Sequence, residues 1–369
     1  MDRTYRHLLA LQSVMAIANS MAAVFAILFL VDVGGFTDRD AVALNFVAFA
    51  ISALTCVAFT RAPPIRSRLL MALGLAALAA SYFVYLFLHG WPLILAVALT
   101  WGLYVPLFFL PFNALVIGIT RPGDRAGKIG SFFLAYTVVA IAGPTMGGIL
   151  VDRFGYSVLF ALATAVLLAD IAILLRLRVG MDSVRFSFDF ARIGRRTTVA
   201  LFAEGGFEGM AFGVVPLIAY EFTQNELDLG GLFSLFALAG GIVTVILGTA
   251  SDRLRHRTPF LIVGAAASAL ACLLVVSARS LSAFAFGNSM LTLTASIAPI
   301  FLFTIAVERC VGRPSSAIVT REVLLNAGRT ASLGAFFALL SVGVTVQQAF
   351  LLAAVSLLFV GLGQPGAKS

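Results

Sequence analysis

Long apolar segments separated by short polar ones repeat along the whole chain. Each is about 20 residues long or more, enough to cross a hydrocarbon layer of about 30 Å as a helix. The pattern predicts an all-α polytopic membrane protein with twelve transmembrane helices, and it lacks the short alternating strands typical of an outer-membrane barrel. The candidate spans lie near residues 7–31, 40–60, 68–88, 92–119, 130–151, 156–175, 198–222, 228–249, 258–278, 281–307, 323–345 and 347–364.

The composition agrees with this class. The chain is 61% hydrophobic and 11% charged, with a mean hydropathy of +1.04, whereas soluble domains are about 45–50% apolar and about 25% charged. The net charge of +8 does not indicate nucleic acid, because the arginines sit in short loops instead of on one amphipathic face. Cys56, Cys272 and Cys310 are far apart and match no metal-binding spacing.

The basic residues predict the orientation. All but three of the 25 Lys and Arg residues lie at the N-terminus, at the C-terminus or near 61–68, 121–128, 176–196, 251–257 and 309–329. The opposite loops hold only Arg39, Arg153 and Arg279, beside acidic stretches such as "TDRD". Since loops rich in Lys and Arg stay in the cytoplasm, both termini should be cytoplasmic. Compact loops without an Asn-x-Ser/Thr site favour a multi-pass protein of a prokaryotic plasma (inner) membrane.

Several features occur once in each half of the chain. The basic loops at 61 and 121 have counterparts at 251 and 309, and Pro106 has a counterpart in Pro299. The longest polar segment, 176–197, lies near the middle. We therefore expect an N-terminal six-helix bundle (1–175), a cytoplasmic linker (176–197) and a C-terminal six-helix bundle (198–369), a parallel repeat known among transporters.

Residues 248–257, "GTASDRLRHR", form the loop after the eighth span. A glycine lets helices approach, an aspartate can cap a helix, and arginines face anionic headgroups. With Gly248, Asp252, Arg253 and Arg257 in place, the stretch resembles the signature loop of the major facilitator superfamily. The corresponding first-half loop, "FTRAPPIRSR" (59–68), keeps basic residues but lacks the Gly and the Asp.

Residues 130–148, "GSFFLAYTVVAIAGPTMGG", resemble the fifth-helix motif of the drug:proton antiporter branch of that superfamily. Small residues here would permit close helix contact and a proline-dependent bend. The sequence departs from the motif at Val139, where the branch has glycine. The matching positions are Gly130, Gly143, Pro144, Gly147 and Gly148.

The resemblance implies two six-helix bundles that rock around a central cavity and expose it to one side of the membrane at a time. For the antiporter branch it also implies export driven by protons. The resemblance does not identify the substrate.

Three of the 17 carboxylates fall in the membrane away from the outer loops and cytoplasmic regions, where such groups are rare and mark cavities, ion pairs or proton paths. Asp170 is close enough to Arg176 to reach the interface or an arginine. Glu204 and Glu208 lie about 12 Å and about 18 Å beyond Arg196 along span seven. Four residues apart, they share one helix face. Two like charges in such a place should not both ionise, so one should hold a proton.

A partner for this pair is suggested in span eleven, in the stretch "REVLLNAGRTAS". Arg329 is eight residues beyond Arg321, so its depth should match that of Glu204 if Arg321 marks the membrane edge. Our hypothesis is that Arg329 pairs with Glu204 and that Glu208 titrates. In the alternative, both glutamates are structural, held by arginine and backbone groups.

Amide side chains inside the spans are candidates for the wall of a substrate cavity, or for ordinary contacts between helices. Gln12 and Asn19 are seven residues apart and share a face of span one. The 33 phenylalanines would suit a greasy cavity, although Phe that faces lipid is more frequent. The candidates are Gln12, Asn19, Asn45, Asn113 and Asn326.

No phosphate loop, nucleophile elbow or metal-ligand cluster occurs in the sequence, so we expect no enzyme activity, no cofactor and no metal. The expected function is proton-coupled export of a small organic or amphipathic molecule by a monomer, with protons, substrate and the lipid bilayer as partners and no nucleic acid. Two alternatives remain: a proton-coupled importer or uniporter of a nutrient, and a non-transporting sensor or lipid-handling protein on the same fold.

Overall fold

The computed structural model describes residues 3–119, 125–176, 183–250, 258–310 and 314–363. The first half consists of α1 (Arg3–Asp32), α2 (Asp38–Phe59), α3 (Ser67–Phe83), α4 (Gly90–Gly118), α5 (Arg125–Phe154) and α6 (Tyr156–Arg176). The second half consists of α7 (Phe190–Ile193), α8 (Arg195–Gly213), α9 (Val215–Phe222), α10 (Glu226–Ala250), α11 (Thr258–Ser277), α12 (Leu281–Ala295), α13 (Ile297–Arg309), α14 (Pro314–Ser341), α15 (Val346–Ala349) and α16 (Leu351–Val360). A 3-10 turn, Val84–Leu86, extends α3.

Within these ranges, eleven helical segments are long and apolar enough to cross a membrane, and Val346–Val360 is a shorter apolar one. This confirms the all-α polytopic membrane fold. Two of the eleven are passes made of two helices, α8 with α9 and α12 with α13. The breaks at Val214 and Ser296 each come just before a proline, Pro216 and Pro299, which lacks the N–H needed for the helical hydrogen bond.

The end of the chain differs from the predicted boundaries. Helix α14 begins at Pro314, earlier than the predicted start near 323, because the charged stretch that was taken for a loop is helical. Gly343 has a φ of +86° in the turn that follows α14. Thr345 then caps α15 in a capping box with Gln348. The last predicted span corresponds to α15 and α16, bent at Phe350.

The two ends of the bundle differ in charge. We call the end where α2 finishes and α3 starts the basic end; it carries Arg61, Arg66 and Arg68 and the start of α8. The other, the acidic end, carries Asp32, Asp38, Asp40, Glu226 and Asp228. In these described turns the basic and acidic residues therefore lie mostly at opposite ends of the bundle; which end faces the cytoplasm stays a prediction.

Helices α1, α3, α4 and α6 pack mainly against helices of the first half, and α8, α11, α12, α13 and α16 pack mainly against helices of the second. The halves meet along two seams, α5 against α10 and α2 against α14. This arrangement is the two-bundle architecture of the fold class; the domain boundaries at 175 and 197 stay predictions.

The motif glycines of α5 lie at close helix contacts. A side chain at Gly143 or Gly147 would collide with Ser20 or Met21 of α1, and one at Gly148 would meet the backbone of Glu226 at the start of α10. Gly130 lies in α5 and Gly248 in α10, whereas Asp252, Arg253 and Arg257 lie outside the described residues. The expectation of close packing is thus met on two sides of α5.

The linker contacts both halves at the basic end. Its strand β2 (Ser183–Val184) pairs antiparallel with β1 (Ile65–Arg66), placing Ile65 opposite Val184 and Arg66 opposite Ser183. The Asp189 N–H donates to Thr320 Oγ1 at 2.9 Å. The linker therefore ties the loop after α2 to α14.

Candidate functional site: a central cavity and a buried charge network

A cavity of about 540 Å³ lies between the two halves. Helices α1 to α5 form one side of its wall, and α8, α9, α10 and α12 form the other. Its size is within the range of about 300–1,000 Å³ that is typical of small-molecule sites. Rings from both halves line it: Tyr85, Trp101, Phe207, Phe212, Phe233 and Phe236.

Of the five predicted cavity residues, Asn19 and Asn45 line this cavity, whereas Gln12, Asn113 and Asn326 are not in its wall. Asn19 Oδ1 accepts a hydrogen bond from the Tyr82 hydroxyl at 2.8 Å. Asn45 donates from Nδ2 to the Ala41 carbonyl at 3.1 Å. The position of a residue along a span predicts its depth in the membrane but not the direction of its side chain. Whether an amide lines the cavity or packs against another helix depends on how each helix is rotated.

The wall residues that the structure describes include no Asp, Glu, Lys, Arg or His. Five charged residues inside the membrane spans are instead grouped beside the cavity, between α8 and α14. These are Glu204, Glu208, Arg321, Glu322 and Arg329, which we call the charge network.

Arg329 pairs with Glu208. Its Nε donates to Glu208 Oε2 at 3.0 Å, and its Nη2 makes a short contact with the same oxygen. Arg329 Nη1 also donates to Asn326 Oδ1 at 2.8 Å, which gives Asn326 a role beside the network. The hypothesis of an Arg329–Glu204 pair with an unpaired Glu208 is therefore wrong.

The predicted depth of Arg329 was wrong because it took Arg321 as the membrane edge of span eleven. Because α14 begins at Pro314, Arg321 is already about two turns inside the helix, and it takes the position beside Glu204 that was assigned to Arg329.

Close backbone packing fixes this register. A Cβ on Gly205 would collide with the Leu325 carbonyl, and one on Gly209 would lie 2.8 Å from the Arg329 Cα. Helices that approach this closely cannot slide past each other without a clash. The glycines of α8 thus bring Glu208 to Arg329 and Glu204 one turn closer to the basic end.

Glu204 is the least well paired member of the network. It is 2% exposed, and neither of its carboxylate oxygens has a hydrogen-bond partner within the described part of the chain. Its nearest cation is Arg321, whose Nη2 is 3.6 Å from Glu204 Oε1. Arg321 donates instead to Glu322 Oε1 at 2.8 Å.

The network holds three carboxylates and two guanidinium groups. If all five were ionised, it would carry one uncompensated negative charge in a poorly solvated place, which is costly. Two of the carboxylates, Glu208 and Glu322, already accept hydrogen bonds from an arginine. The group that can hold a proton at least cost is therefore Glu204.

The network reaches both the other half and the cavity. The guanidinium carbon of Arg329 lies 5.1 Å from the centroid of the Phe49 ring, in α2 of the first half. Glu208 is one helical turn from Ala211 and Phe212, which line the cavity. The charge network therefore contacts α2 of the first half through Arg329 and lies one helical turn from the cavity wall at Glu208.

Sequence reasoning missed Arg321 and Glu322 because it placed them in a loop. A proline is favoured in the first turn of a helix, so Pro314 was the signal that the helix starts before them.

Asp170 is fully buried on α6, and neither of its oxygens has a hydrogen-bond partner among the residues described. The expected pairing with an arginine or access to the interface is therefore wrong, because the side chain is enclosed by helix packing and neither oxygen meets an arginine in the described chain. It lies in the first half, apart from the charge network on α8 and α14.

At the acidic end, the two halves are joined by a hydrogen bond from the Tyr220 hydroxyl of α9 to Asp32 Oδ1 of α1, at 2.7 Å. The Tyr156 hydroxyl of α6 lies 3.4 Å from the other oxygen of Asp32. On the neighbouring seam, the Thr145 N–H donates to Ser234 Oγ at 3.1 Å. No group of metal-ligating side chains was found in the described residues.

No family model matches the sequence. The chain is similar to the "Uncharacterized protein YqgE" of Bacillus subtilis (strain 168), with 25% identity over 295 residues. That match covers 72% of this chain and 64% of the relative, so the chain spans less than two thirds of the relative's length.

Solved structures are similar over nearly the whole chain. The human organic anion transporter MFSD10 (TETRAN) superposes with a TM-score of 0.68 at 14% identity, covering 98% of this chain and 100% of that one. A POT family transporter in complex with 5-aminolevulinic acid gives a TM-score of 0.75 at 12% identity, covering 98% and 95%. A mutant of the peptide transporter POT in complex with alafosfalin gives 0.72 at 11%, covering 98% and 93%. The chain therefore has the fold of these transporters.

Proposed function

We propose that this protein is a secondary active transporter that exports a small organic or amphipathic molecule in exchange for protons. The observation that carries the proposal is the cavity between two helical halves, with a charge network beside it that has one more carboxylate than it has arginines. The fold shared with an organic anion transporter and with peptide transporters supports the transporter class.

Glu204 is the proton carrier in this proposal, and Glu208 with Arg329 forms the ion pair that transmits its charge. With Glu204 protonated, the network is neutral. When Glu204 releases its proton, it competes with Glu322 for Arg321 and attracts Arg329 away from the Phe49 ring. The α2–α14 seam then loosens, which couples proton release to the movement of one half against the other.

The cell context belongs to the same proposal. A monomer lies in a prokaryotic plasma (inner) membrane with the basic end and both termini in the cytoplasm, as the distribution of Lys and Arg favours. The cavity opens alternately to the cytoplasm and to the outside.

A second candidate is an uncoupled uniporter. It is favoured by the lack of charged side chains in the described cavity wall, since a transporter of this kind needs no titrating group at its binding site.

The test is a compound screen on purified protein in liposomes that contain a pH-sensitive dye, with an acidic or an alkaline interior imposed. Proton-coupled export predicts that one class of compound accumulates in acid-loaded liposomes and raises their internal pH. Movement of compounds without any change in internal pH would support the uniporter and contradict proton coupling. Failure of every class to move would contradict transport.

A further inference from the structure

The cavity wall sets conditions on what can bind there. A charged molecule that left water for this cavity would meet no opposite charge in the described wall, and an unpaired buried charge is strongly disfavoured. Glu208 and Arg329, which lie beside the cavity, are already engaged with each other. The wall therefore favours an uncharged molecule.

The rings of the wall favour a particular shape. Tyr85 and Trp101 come from the first half, whereas Phe207, Phe233 and Phe236 come from the second. A flat apolar body between such rings gains area burial and ring contacts with both halves. A ring-containing body suits this wall better than a flexible chain.

One amide oxygen in the wall lacks a hydrogen-bond donor in the described chain. Asn288 of α12 is 1% exposed, and its Oδ1 has no hydrogen-bond partner within the described chain. By contrast, Asn19 Oδ1 accepts from Tyr82. A buried acceptor without a donor costs free energy, which a ligand that brings an O–H or N–H group would recover.

We propose that the cavity binds an uncharged molecule with a ring-containing apolar body and a hydrogen-bond donor, and that Asn288 selects for the donor. This inference rests on the proposed function for the role of the cavity. It differs from the organic anion named for one structural neighbour, because a carboxylate would bring charge and no donor.

The probes are four compounds on one ring system: 2-naphthol, 2-methoxynaphthalene, 2-naphthoate and 2-naphthylmethylammonium. Each is titrated against purified protein in detergent at neutral pH, with thermal unfolding as the readout of binding. The expected result is that 2-naphthol binds about tenfold more tightly than 2-methoxynaphthalene, the worth of one hydrogen bond in a dry site. The two charged probes should bind more weakly than 2-naphthol by at least that factor.

Asn288→Ala should lower the affinity for 2-naphthol to that for 2-methoxynaphthalene and leave the latter unchanged. Asn113→Ala is the matched control, because Asn113 is an amide in a membrane helix outside the cavity wall; it should keep the preference. The comparison of the four probes on the unmodified chain stands even if Asn288→Ala does not fold.

Equal binding of all four probes, tighter binding of a charged probe, or no binding of 2-naphthol would overturn the inference. A preserved preference for 2-naphthol in Asn288→Ala would overturn the role of Asn288. These outcomes are independent of proton-driven flux in liposomes, so the substrate class can fail while the transport proposal holds, and the reverse.

Discussion

Arg329 of α14 binds Glu208 of α8 through two of its nitrogens, and this leaves Glu204, one turn away, without a hydrogen bond in the described structure. The pairing decides which carboxylate can carry a proton. A paired carboxylate is stabilised in its ionised form, whereas a buried one without donors is more stable when it is protonated.

Loss of one partner of the Arg329–Glu208 ion pair should destabilise the fold more than loss of both. Arg329→Gln leaves the partly buried Glu208 without its cation and should lower the free energy of unfolding by about 2–3 kcal/mol, less than the loss for a fully buried pair. Glu208→Gln/Arg329→Gln removes both charges and should recover most of that loss. Denaturant or thermal unfolding in detergent measures both; a double variant no more stable than Arg329→Gln would contradict the pairing.

The same pair gives a prediction about protons. Glu208→Gln alone leaves two carboxylates and two arginines in the charge network, so no proton is needed and gradient-driven flux should be lost. Glu208→Gln/Arg329→Gln leaves two carboxylates and one arginine, so Glu204 again requires a proton, but without Arg329 its charge no longer acts on the contact with the Phe49 ring and gradient-driven flux should stay lost. Flux in dye-loaded liposomes reports this; gradient-driven flux in either variant equal to that of the unmodified chain would argue against the role of the pair.

Tyr220 should hold the acidic end closed, because its hydroxyl joins the second half to Asp32 of the first. Tyr220→Phe removes a hydrogen bond worth about 1 kcal/mol and should raise the open population about fivefold. The readout is labelling of Ser20→Cys in the cavity wall by a membrane-impermeant maleimide from the acidic side. Tyr156→Phe is the control: Tyr156 approaches Asp32 from within the same half, so labelling should not change.

Two neighbouring glycines of α5 should behave differently. Gly147 faces α1 of its own half, so Gly147→Val should destabilise the fold. Gly148 faces the start of α10 in the other half, so Gly148→Val should instead prevent closure of the acidic end. The maleimide assay combined with thermal unfolding separates the two effects. If Gly148→Val lost as much stability as Gly147→Val and its Ser20→Cys labelling did not rise above that of the unmodified chain, the distinction would be refuted.

The sequence was sufficient for much of the fold. The run of apolar segments and the alternation of basic and acidic loops predict the membrane passes, because both follow from local hydrophobicity and charge. The breaks before α9 and α13 were not predicted, although Pro216 and Pro299 lie beside them. The predicted start of span eleven, near 323, is too late, because Arg321 and Glu322 were read as the end of a basic loop although both lie inside α14.

The candidate site was only partly predictable. Glu204, Glu208 and Arg329 stood out because charged groups in membrane helices are rare, but their pairing depends on the packing of Gly205 and Gly209 against α14. Asn288 is also an amide inside a predicted span, but it was not among the candidates, and its position in the wall depends on the rotation of α12 within the bundle.

The central claim, that Glu204 carries the coupled proton, is tested most directly with Glu204→Gln in acid-loaded liposomes, using the compound that gives the strongest gradient-driven flux. Asp170→Asn is the control, because Asp170 is also a buried carboxylate without a partner in the described chain but lies outside the charge network. We predict that Glu204→Gln still exchanges the compound across the membrane but no longer moves protons or responds to the gradient, while Asp170→Asn behaves as the unmodified chain. Gradient-driven accumulation and proton movement in Glu204→Gln equal to those of the unmodified chain would contradict the claim.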